Sequence, residues 1–241
     1  KGWVPEIDVA FWVPVARCSK HLGLSFTQQV AWFLPYVFVD NAWAFAAGRE
    51  VYGFPKEMAA FQVPRRTTDP ALITVDTLAV ERFGPDAEGT VRRLLEVRRT
   101  DADVLGHPHQ TWEQAEEVFE DFLHALLGTG GVSLPGIGLL IQAFQFLSHR
   151  ELPLVFLRQF RDVADGRRAC YQAVVEALTR VQQFRQAGKL RGDYRLTLSA
   201  LDSHPVARDL GLAESGADAL GAWYVDFDFM LENGRELWRA R

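Results

Sequence analysis

Short runs of apolar or alternating side chains, separated by Pro, Gly and polar residues, constrain the fold of this chain more than any other feature of its sequence. They occupy residues 9–16, 73–80, 91–98, 194–200 and 222–229, and apolar and polar side chains alternate regularly in the last two. Because successive side chains of a β-strand point to opposite faces, this period of two predicts strands that are buried on one side. Turn residues between the second and third runs predict a hairpin there.

Further apolar segments add to the predicted strand content. Residues 35–47 hold a pair of predicted strand segments around Asp40 and Asn41, and residues 154–160 indicate one more strand. We expect a loop at residues 17–32. Strands therefore dominate the first hundred residues and the end of the chain.

Two regions in the middle of the chain have the 3.6-residue period of an amphipathic helix instead. We predict helical segments at about residues 111–148 and 168–187, the second ending at Gly188. An uncharged helix over residues 136–147 would be roughly 18 Å long, against about 30 Å for a bilayer core. This length excludes a membrane span and predicts a buried or oligomer-interface helix, with a membrane-surface or lid helix as the alternative.

Strands at both ends and helices between them indicate one α+β domain over residues 1–241. The chain has no Gly/Ser-rich linker and no repeat of fixed period. The regular alternation of strands and helices that builds a doubly wound sheet is absent.

The charge balance, the cysteines and the histidines exclude several classes of partner. The formal net charge is −5, from 26 basic and 31 acidic residues without a basic block, so we expect no nucleic-acid partner. Cys18 and Cys170 lie far apart, which predicts neither a disulfide framework nor a cysteine zinc site and fits a cytoplasmic location. His107 and His109 indicate a solvated loop, so we predict no metal site.

Lysine is rare, and one lysine lies in an apolar context. Of the 26 basic residues only four are lysines, and Lys56 ends a Gly-Phe-Pro-Lys element that follows an aromatic stretch. An apolar environment disfavours the ammonium form of a lysine and so favours the nucleophilic amine. From the spacing alone, a turn lysine with its charge in water is the alternative.

The run from Gly48 to Lys56, Gly-Arg-Glu-Val-Tyr-Gly-Phe-Pro-Lys, follows Val-Asp-Asn at residues 39–41. It resembles the signature of the acetoacetate decarboxylase family, whose Schiff-base lysine ends this element. Weaker similarities at residues 13–15, 157–162 and 204–211 and in the acidic-aromatic last strand extend the resemblance over most of the chain. It implies an α+β fold with a large, mostly antiparallel β-barrel or cone and peripheral helices, and a homo-oligomer.

By this resemblance, Lys56 is the nucleophile that condenses with the ketone of a small keto acid. The imine then serves as the electron sink, so no external cofactor is implied. A β-keto acid such as acetoacetate would lose carbon dioxide, whereas pyruvate or another α-keto acid would undergo aldol or dehydration chemistry. The third alternative is a non-catalytic member that binds a small ligand. Glu57 stands where the best-known decarboxylases have a second lysine, and an anion close to Lys56 would favour its ammonium form.

The family also has an acidic residue on an early strand, and the matching position here is Asp8. Glu6 would share the face of Asp8 on a strand. The resemblance implies that either residue orients the substrate or acts as general acid and base. The alternative is a pair of surface carboxylates at a strand end.

Four more residues of the signature are candidates for substrate binding. Tyr52 and Phe54 would line an apolar pocket around the lysine. Arg49 and Glu50 would contact the substrate or form a structural ion pair under the site.

Overall fold

The computed structural model describes residues 5–21, 24–64, 72–101, 110–112, 115–128, 151–213 and 215–240. Most of these residues lie in β-strands. The strands are β1 Asp8–His21, β2 Leu24–Val39, β3 Lys56–Gln62, β4 Leu72–Ala79, β5 Thr90–Arg99, β6 Gln110–Trp112, β7 Glu151–Arg161, β8 Ala169–Lys189, β9 Tyr194–Leu198, β10 Ala217–Asp218, β11 Trp223–Leu231 and β12 Arg235–Arg239. The helices are α1 Ala42–Ala47, a π-helical turn Gly48–Tyr52, α2 Ala115–Gly128 and α3 Val206–Leu210.

The strands form one mixed sheet in the order β10-β9-β5-β4-β3-β2-β7-β8-β11. In addition, β1 pairs with β2, and β6 and β12 pair with β8. Strand β2 runs parallel to β3 and β7, whereas the other pairs are antiparallel. Within the described residues β10 and β11 end the sheet without pairing with each other, so the expected barrel or cone is not closed.

All five runs lie largely in strands, as predicted, and so does the segment at residues 154–160. Strands β4 and β5 form the predicted hairpin, with Leu72 opposite Arg98 and Ala79 opposite Thr90. In β4 the buried residues Val75, Thr77 and Ala79 share one face, as a period of two requires.

The helix predicted at residues 168–187 is wrong, because these residues form most of the long strand β8. Its buried positions alternate, from Ala173 through Val175 and Ala177 to Thr179. The strand pairs with β6, β7, β11 and β12. Helix propensities differ by less than about 1 kcal/mol per residue, and these ladders outweigh them.

Two further local predictions are wrong. The second half of residues 35–47 is helix α1, not a strand, because Asn41 caps a stretch rich in alanine. The expected loop at residues 17–32 consists largely of the ends of β1 and β2, which pair from Asp8 opposite Val39 to His21 opposite Leu24.

The predicted helical region at residues 111–148 is confirmed over Ala115–Gly128, but residues 110–112 form a short strand instead. Helix α2 packs against β8 and β11 through Val118 and Phe122. The interface helix expected at residues 136–147 lies outside the described residues. None of the helices that the structure describes is long and apolar enough to cross a membrane.

The apolar side chains form two main clusters. The first core lies under β2, β7 and β8, and the second core lies under β2, β4, β5 and β9. Buried members of the first core include Trp32, Val37, Val39, Leu154, Phe156 and Ala177. Buried members of the second core include Phe38, Val75, Leu94, Leu95, Leu198 and Val206. Because Val37 and Phe38 are neighbours in β2 and point to opposite faces, the two cores lie on opposite sides of this strand.

Candidate active site

Lys56 is the first residue of β3 and points to the side of the first core. It pairs in register with Val37 of β2, a member of that core. The residue is only 8% exposed to solvent. Its Nζ atom lies 5.6 Å from the ring centroid of Phe54, so an aromatic face borders the amine. The lysine is therefore buried, in contrast to a turn lysine with its charge in water.

The turn before β3 brings backbone against the stem of Lys56. Helix α1 continues into the π-helical turn, and Gly48 stands at the junction. A Cβ atom at Gly48 would lie 2.7 Å from Lys56 Cδ and 2.9 Å from Cε, closer than packed carbon atoms approach. Gly53 then ends the turn with φ of +87°, and its Cα faces the backbone of Arg158 in β7. Glycine is required at the first position for space and at the second for both space and conformation.

The carboxylate of Glu6 pairs with the amine of Lys56. Nζ of Lys56 lies 2.6 Å from Oε1 of Glu6, and the two side chains are 10% and 25% exposed. The residues on either side of Glu6 are held by the end of β2. Asp40 Oδ1 accepts a hydrogen bond from Ile7 N at 2.9 Å, and Asn41 Nδ2 donates to Pro5 O at 3.0 Å.

Asp8 lies on the same side of the sheet as Lys56, because it pairs in register with Val39 of the first core. Solvent reaches Asp8, yet protein atoms surround most of the carboxyl group. This desolvation raises the pKa of Asp8 above its usual value, and the charges of Glu6 and Asp40 raise it further, while Lys56 lowers it. Asp8 therefore holds its proton more tightly than an ordinary aspartate.

Tyr52 and Phe54 pack together at the margin of the first core. Their rings meet edge to face with centroids 5.9 Å apart, and Phe54 lies 4.0 Å from the ring centroid of Phe156. The apolar environment predicted for Lys56 is therefore built by Phe54 and the residues behind it.

The Arg49 side chain donates to a backbone carbonyl group, the Glu50 backbone carbonyl accepts from another side chain, and no ion pair joins the two residues. Arg49 Nη1 donates a hydrogen bond to the carbonyl oxygen of Lys56 at 2.9 Å, which ties the turn to the start of β3. Arg158 Nη2 donates to the carbonyl oxygen of Glu50 at 2.5 Å. The structural alternative for this pair thus takes the form of backbone contacts, not an ion pair.

A groove of about 530 Å³ runs between the turn and β7. Phe54 belongs both to this groove and to the surroundings of Lys56, so one ring separates the amine from the groove. Of the candidate substrate-binding residues, Arg49, Glu50 and Phe54 line the groove, and Tyr52 does not. The other walls include Phe45, Leu157 and Phe160.

Glu57, which stands where the best-known decarboxylases have a second lysine, points away from the amine of Lys56. Neighbouring residues of a strand point to opposite faces, and Glu57 pairs in register with Phe38 of the second core. Its Oε2 atom lies 2.7 Å from Nε2 of the buried His204. The charge of Glu57 is therefore separated from Lys56 by the sheet itself.

Sequence reasoning missed three contributors to this site. Asp40 and Asn41 were recognised as part of the motif, but not as anchors of the segment that carries Glu6. Gly48 was likewise not linked to the stem of Lys56. An Asn before an alanine-rich run is a helix-cap signal that could have located α1. In the part of the chain that the structure describes, no group of three or more His, Cys, Asp or Glu residues could hold a metal ion; His107 and His109 lie outside that part.

Comparisons with known proteins agree with this architecture. Residues 10–100 match the family model described as acetoacetate decarboxylase (ADC), and this stretch contains the turn and Lys56. No curated protein sequence matches the chain.

Two solved structures have a similar fold. The acetoacetate decarboxylase of Legionella pneumophila subsp. pneumophila str. Philadelphia 1 has a TM-score of 0.58 and 15% identity, over 99% of this chain and 69% of that one. The enduracididine biosynthesis enzyme MppR with HEPES buffer bound has a TM-score of 0.50 and 14% identity, over 96% of this chain and 64% of that one. The chain thus spans about two thirds of the length of these structures. Its fold is acetoacetate decarboxylase-like, and the resemblance inferred from the sequence is confirmed.

Proposed function

We propose that this protein is a lyase that forms a Schiff base between Lys56 and a small keto acid. The single observation that carries the proposal is the buried amine of Lys56, 2.6 Å from the carboxylate of Glu6. A buried lysine next to a proton acceptor is the arrangement that nucleophilic amine catalysis needs. The match of residues 10–100 to the acetoacetate decarboxylase model supports it.

Glu6 is the proposed proton acceptor in the first step. The amine must lose a proton before its lone pair can attack the keto carbon, and Glu6 Oε1 is within hydrogen-bond distance of that proton.

Asp8 is the proposed proton donor. Its raised pKa keeps a proton available for the hydroxyl of the carbinolamine, which then leaves as water. Two carboxyl groups with different environments thereby take different roles. Tyr52, Phe54, Arg49 and Glu50 are proposed to surround the rest of the substrate, with Arg49 supplying a positive charge for its carboxylate.

The reaction that we propose after imine formation is decarboxylation of a β-keto acid such as acetoacetate. The bond to the carboxylate breaks, carbon dioxide leaves, and the electron pair moves into the protonated imine to give an enamine. Protonation of the enamine carbon and hydrolysis of the imine release the ketone and Lys56. The match of residues 10–100 to the acetoacetate decarboxylase model supports this choice. We expect a homo-oligomer that needs no external cofactor.

Borohydride trapping tests the proposal. The protein is incubated with acetoacetate, pyruvate and larger keto acids from about pH 6 to 9, reduced, and studied by intact-mass and peptide mass spectrometry. A reduced adduct on Lys56 is expected, lighter by one carbon dioxide than the adduct of the intact acid. Adducts with pyruvate, together with no adduct from acetoacetate that has lost carbon dioxide, would instead favour aldol or dehydration chemistry.

Three variants serve as controls. Lys56→Ala should form no adduct. Lys189→Ala should form it normally, although Lys189 is also ion-paired, to Asp121 at 3.1 Å. Glu6→Gln should form it about a hundredfold more slowly, the ordinary contribution of a general base. If the folded wild type gives no adduct with any of these acids, the ion-paired Lys56 belongs to a protein that binds its ligand without catalysis.

A further inference from the structure

We propose that Asn41 is a positioning residue. Its side-chain amide connects the turn that packs against Lys56 to the segment that carries Glu6. This inference rests on the proposed function, because it concerns the placement of Glu6 and Lys56. The relevant contacts connect Asn41 to helix α1 on one side and to the segment before β1 on the other.

The oxygen of the amide caps the helix that leads into the turn at Gly48. Asn41 Oδ1 accepts hydrogen bonds from Trp43 N at 2.9 Å and Ala44 N at 3.3 Å, and so caps helix α1. Helix α1 continues directly into the turn at Gly48, which packs against the stem of Lys56. The direction in which this helix leaves β2 therefore decides where the backbone meets the lysine.

The nitrogen of the amide binds the backbone segment that contains Glu6. Asn41 Nδ2 donates to Pro5 O at 3.0 Å, one residue before Glu6. One residue after Glu6, Ile7 N donates to Asp40 Oδ1 at 2.9 Å and Ile7 O accepts from Asp40 N at 3.2 Å. The backbone of Glu6 is thus held on both sides by two consecutive residues at the end of β2.

Both contacts together require asparagine. The helix cap needs a side-chain acceptor, and the bond to Pro5 needs a side-chain donor in the same group. Serine can cap a helix about as well as asparagine, but its hydroxyl is too short to reach Pro5 as well. Alanine can do neither. Asn41→Ser therefore removes one of the two connections, and Asn41→Ala removes both.

The first readout is competitive acetylation of the intact protein with a limiting amount of acetic anhydride. Peptide mass spectrometry gives the rate at Lys56 relative to Lys189 in the same molecule. Lys189 is also paired with a carboxylate and is distant in sequence, so it corrects for unfolding. Release of Glu6 from the amine should raise this ratio by about threefold to tenfold in Asn41→Ser, as expected for loss of one hydrogen bond.

The second readout is the rate of borohydride-trapped adduct formation with acetoacetate. It should fall by a similar factor in Asn41→Ser, because condensation with a ketone needs Glu6 as proton acceptor, whereas acetic anhydride is reactive enough to acylate a released amine without one. A rise in acetylation together with a fall in adduct formation is not produced by simple loosening of the fold, which would also expose Lys189. The midpoint of thermal unfolding should stay near the wild-type value in Asn41→Ser and fall in Asn41→Ala.

Two results would overturn the inference. Wild-type values of both rates in Asn41→Ser would do so, and so would a change that occurs only in Asn41→Ala, since the helix cap alone would then matter. If wild-type protein forms no adduct, the proposed Schiff-base function fails. The acetylation ratio still tests the connection between Asn41 and Glu6 in that case.

Discussion

Oε2 of Glu57 lies 2.7 Å from Nε2 of His204, on the face of β3 opposite to Lys56. His204 is 4% exposed, and its Nδ1 atom lies 2.8 Å from the hydroxyl of Ser203. That hydroxyl also accepts a hydrogen bond from Val80 N at 2.8 Å. The residue after the candidate nucleophile therefore connects β3 to the turn before α3, rather than contacting the substrate.

Removal of the Glu57 carboxylate should affect stability and leave imine formation nearly unchanged. Glu57→Ala leaves Nε2–H of a buried histidine without its acceptor, which costs about 1–3 kcal/mol in the free energy of unfolding. Glu57→Gln keeps an acceptor oxygen and should cost less. Denaturant unfolding and the rate of borohydride trapping measure the two effects. A large change in the trapping rate of folded Glu57→Gln would contradict the separation of Glu57 from Lys56.

Gly48→Ala should impair imine formation without unfolding the protein. Gly48 has φ of −62°, so alanine fits the backbone, but its Cβ atom would push on Cδ and Cε of Lys56. Displacement of the amine by about 1 Å should slow adduct formation about a hundredfold. The free energy of unfolding should change by less than about 1 kcal/mol.

Gly128→Ala is the matched control for this variant. It also adds a methyl group at a helical glycine, but none of the described residues has an atom within 4 Å of the atom added at Gly128. The control should form the adduct at the wild-type rate. Equal rates for wild type, Gly48→Ala and Gly128→Ala would rule out the contact between Gly48 and Lys56 as a requirement for reaction.

Gly53→Ala should destabilise the fold more than Gly211→Ala. Both glycines have positive φ, +87° and +68°, which costs about 1–2 kcal/mol for alanine. At Gly211 the added Cβ meets nothing within 4 Å, whereas at Gly53 it would lie 2.7 Å from Arg158 Cα. Displacement of β7 should lower the free energy of unfolding by a further amount of about 1–3 kcal/mol. Denaturant unfolding of both variants checks this order, and equal losses would show that the turn does not press on β7.

Asp8 should make the protein less stable as the pH rises. Its pKa is raised in the folded state from the usual 3.8. Above that pH the unfolded chain releases the proton while the folded protein still binds it, so the free energy of unfolding falls until the folded-state carboxyl group also ionises. Asp8→Asn does not titrate there, and its stability relative to wild type should increase with pH over this window.

Asp226 is a control for Asp8, because its pKa is shifted in the opposite direction and its effect on stability therefore changes with pH in the opposite sense. A hydrogen bond from Arg185 lowers the pKa of Asp226, so its carboxylate stabilises the folded protein increasingly as the pH rises toward 3.8. Asp226→Asn should therefore lose stability relative to wild type over that lower window. Denaturant unfolding at stepped pH values gives both slopes. A flat difference between Asp8→Asn and wild type would contradict the raised pKa of Asp8.

Local sequence determined a large part of this fold and one central residue of the candidate site. Strands β4, β5, β9 and β11 were predictable because short apolar or alternating runs bounded by turn residues are typical of strands. Lys56 was recognisable because the segment from Gly48 to Lys56 is continuous in the chain.

Tertiary contacts decided what local patterns could not. Residues 169–189 have spacings that suit a helix, yet they form a strand because four neighbouring strands satisfy their backbone hydrogen bonds. Glu6 and Lys56 are 50 positions apart, and the backbone on either side of Glu6 is held by the side chains of Asp40, which accepts from Ile7 N, and Asn41, which donates to Pro5 O. Period and spacing carry information only about neighbours along the chain, so these long-range bonds become visible only when the sheet is assembled.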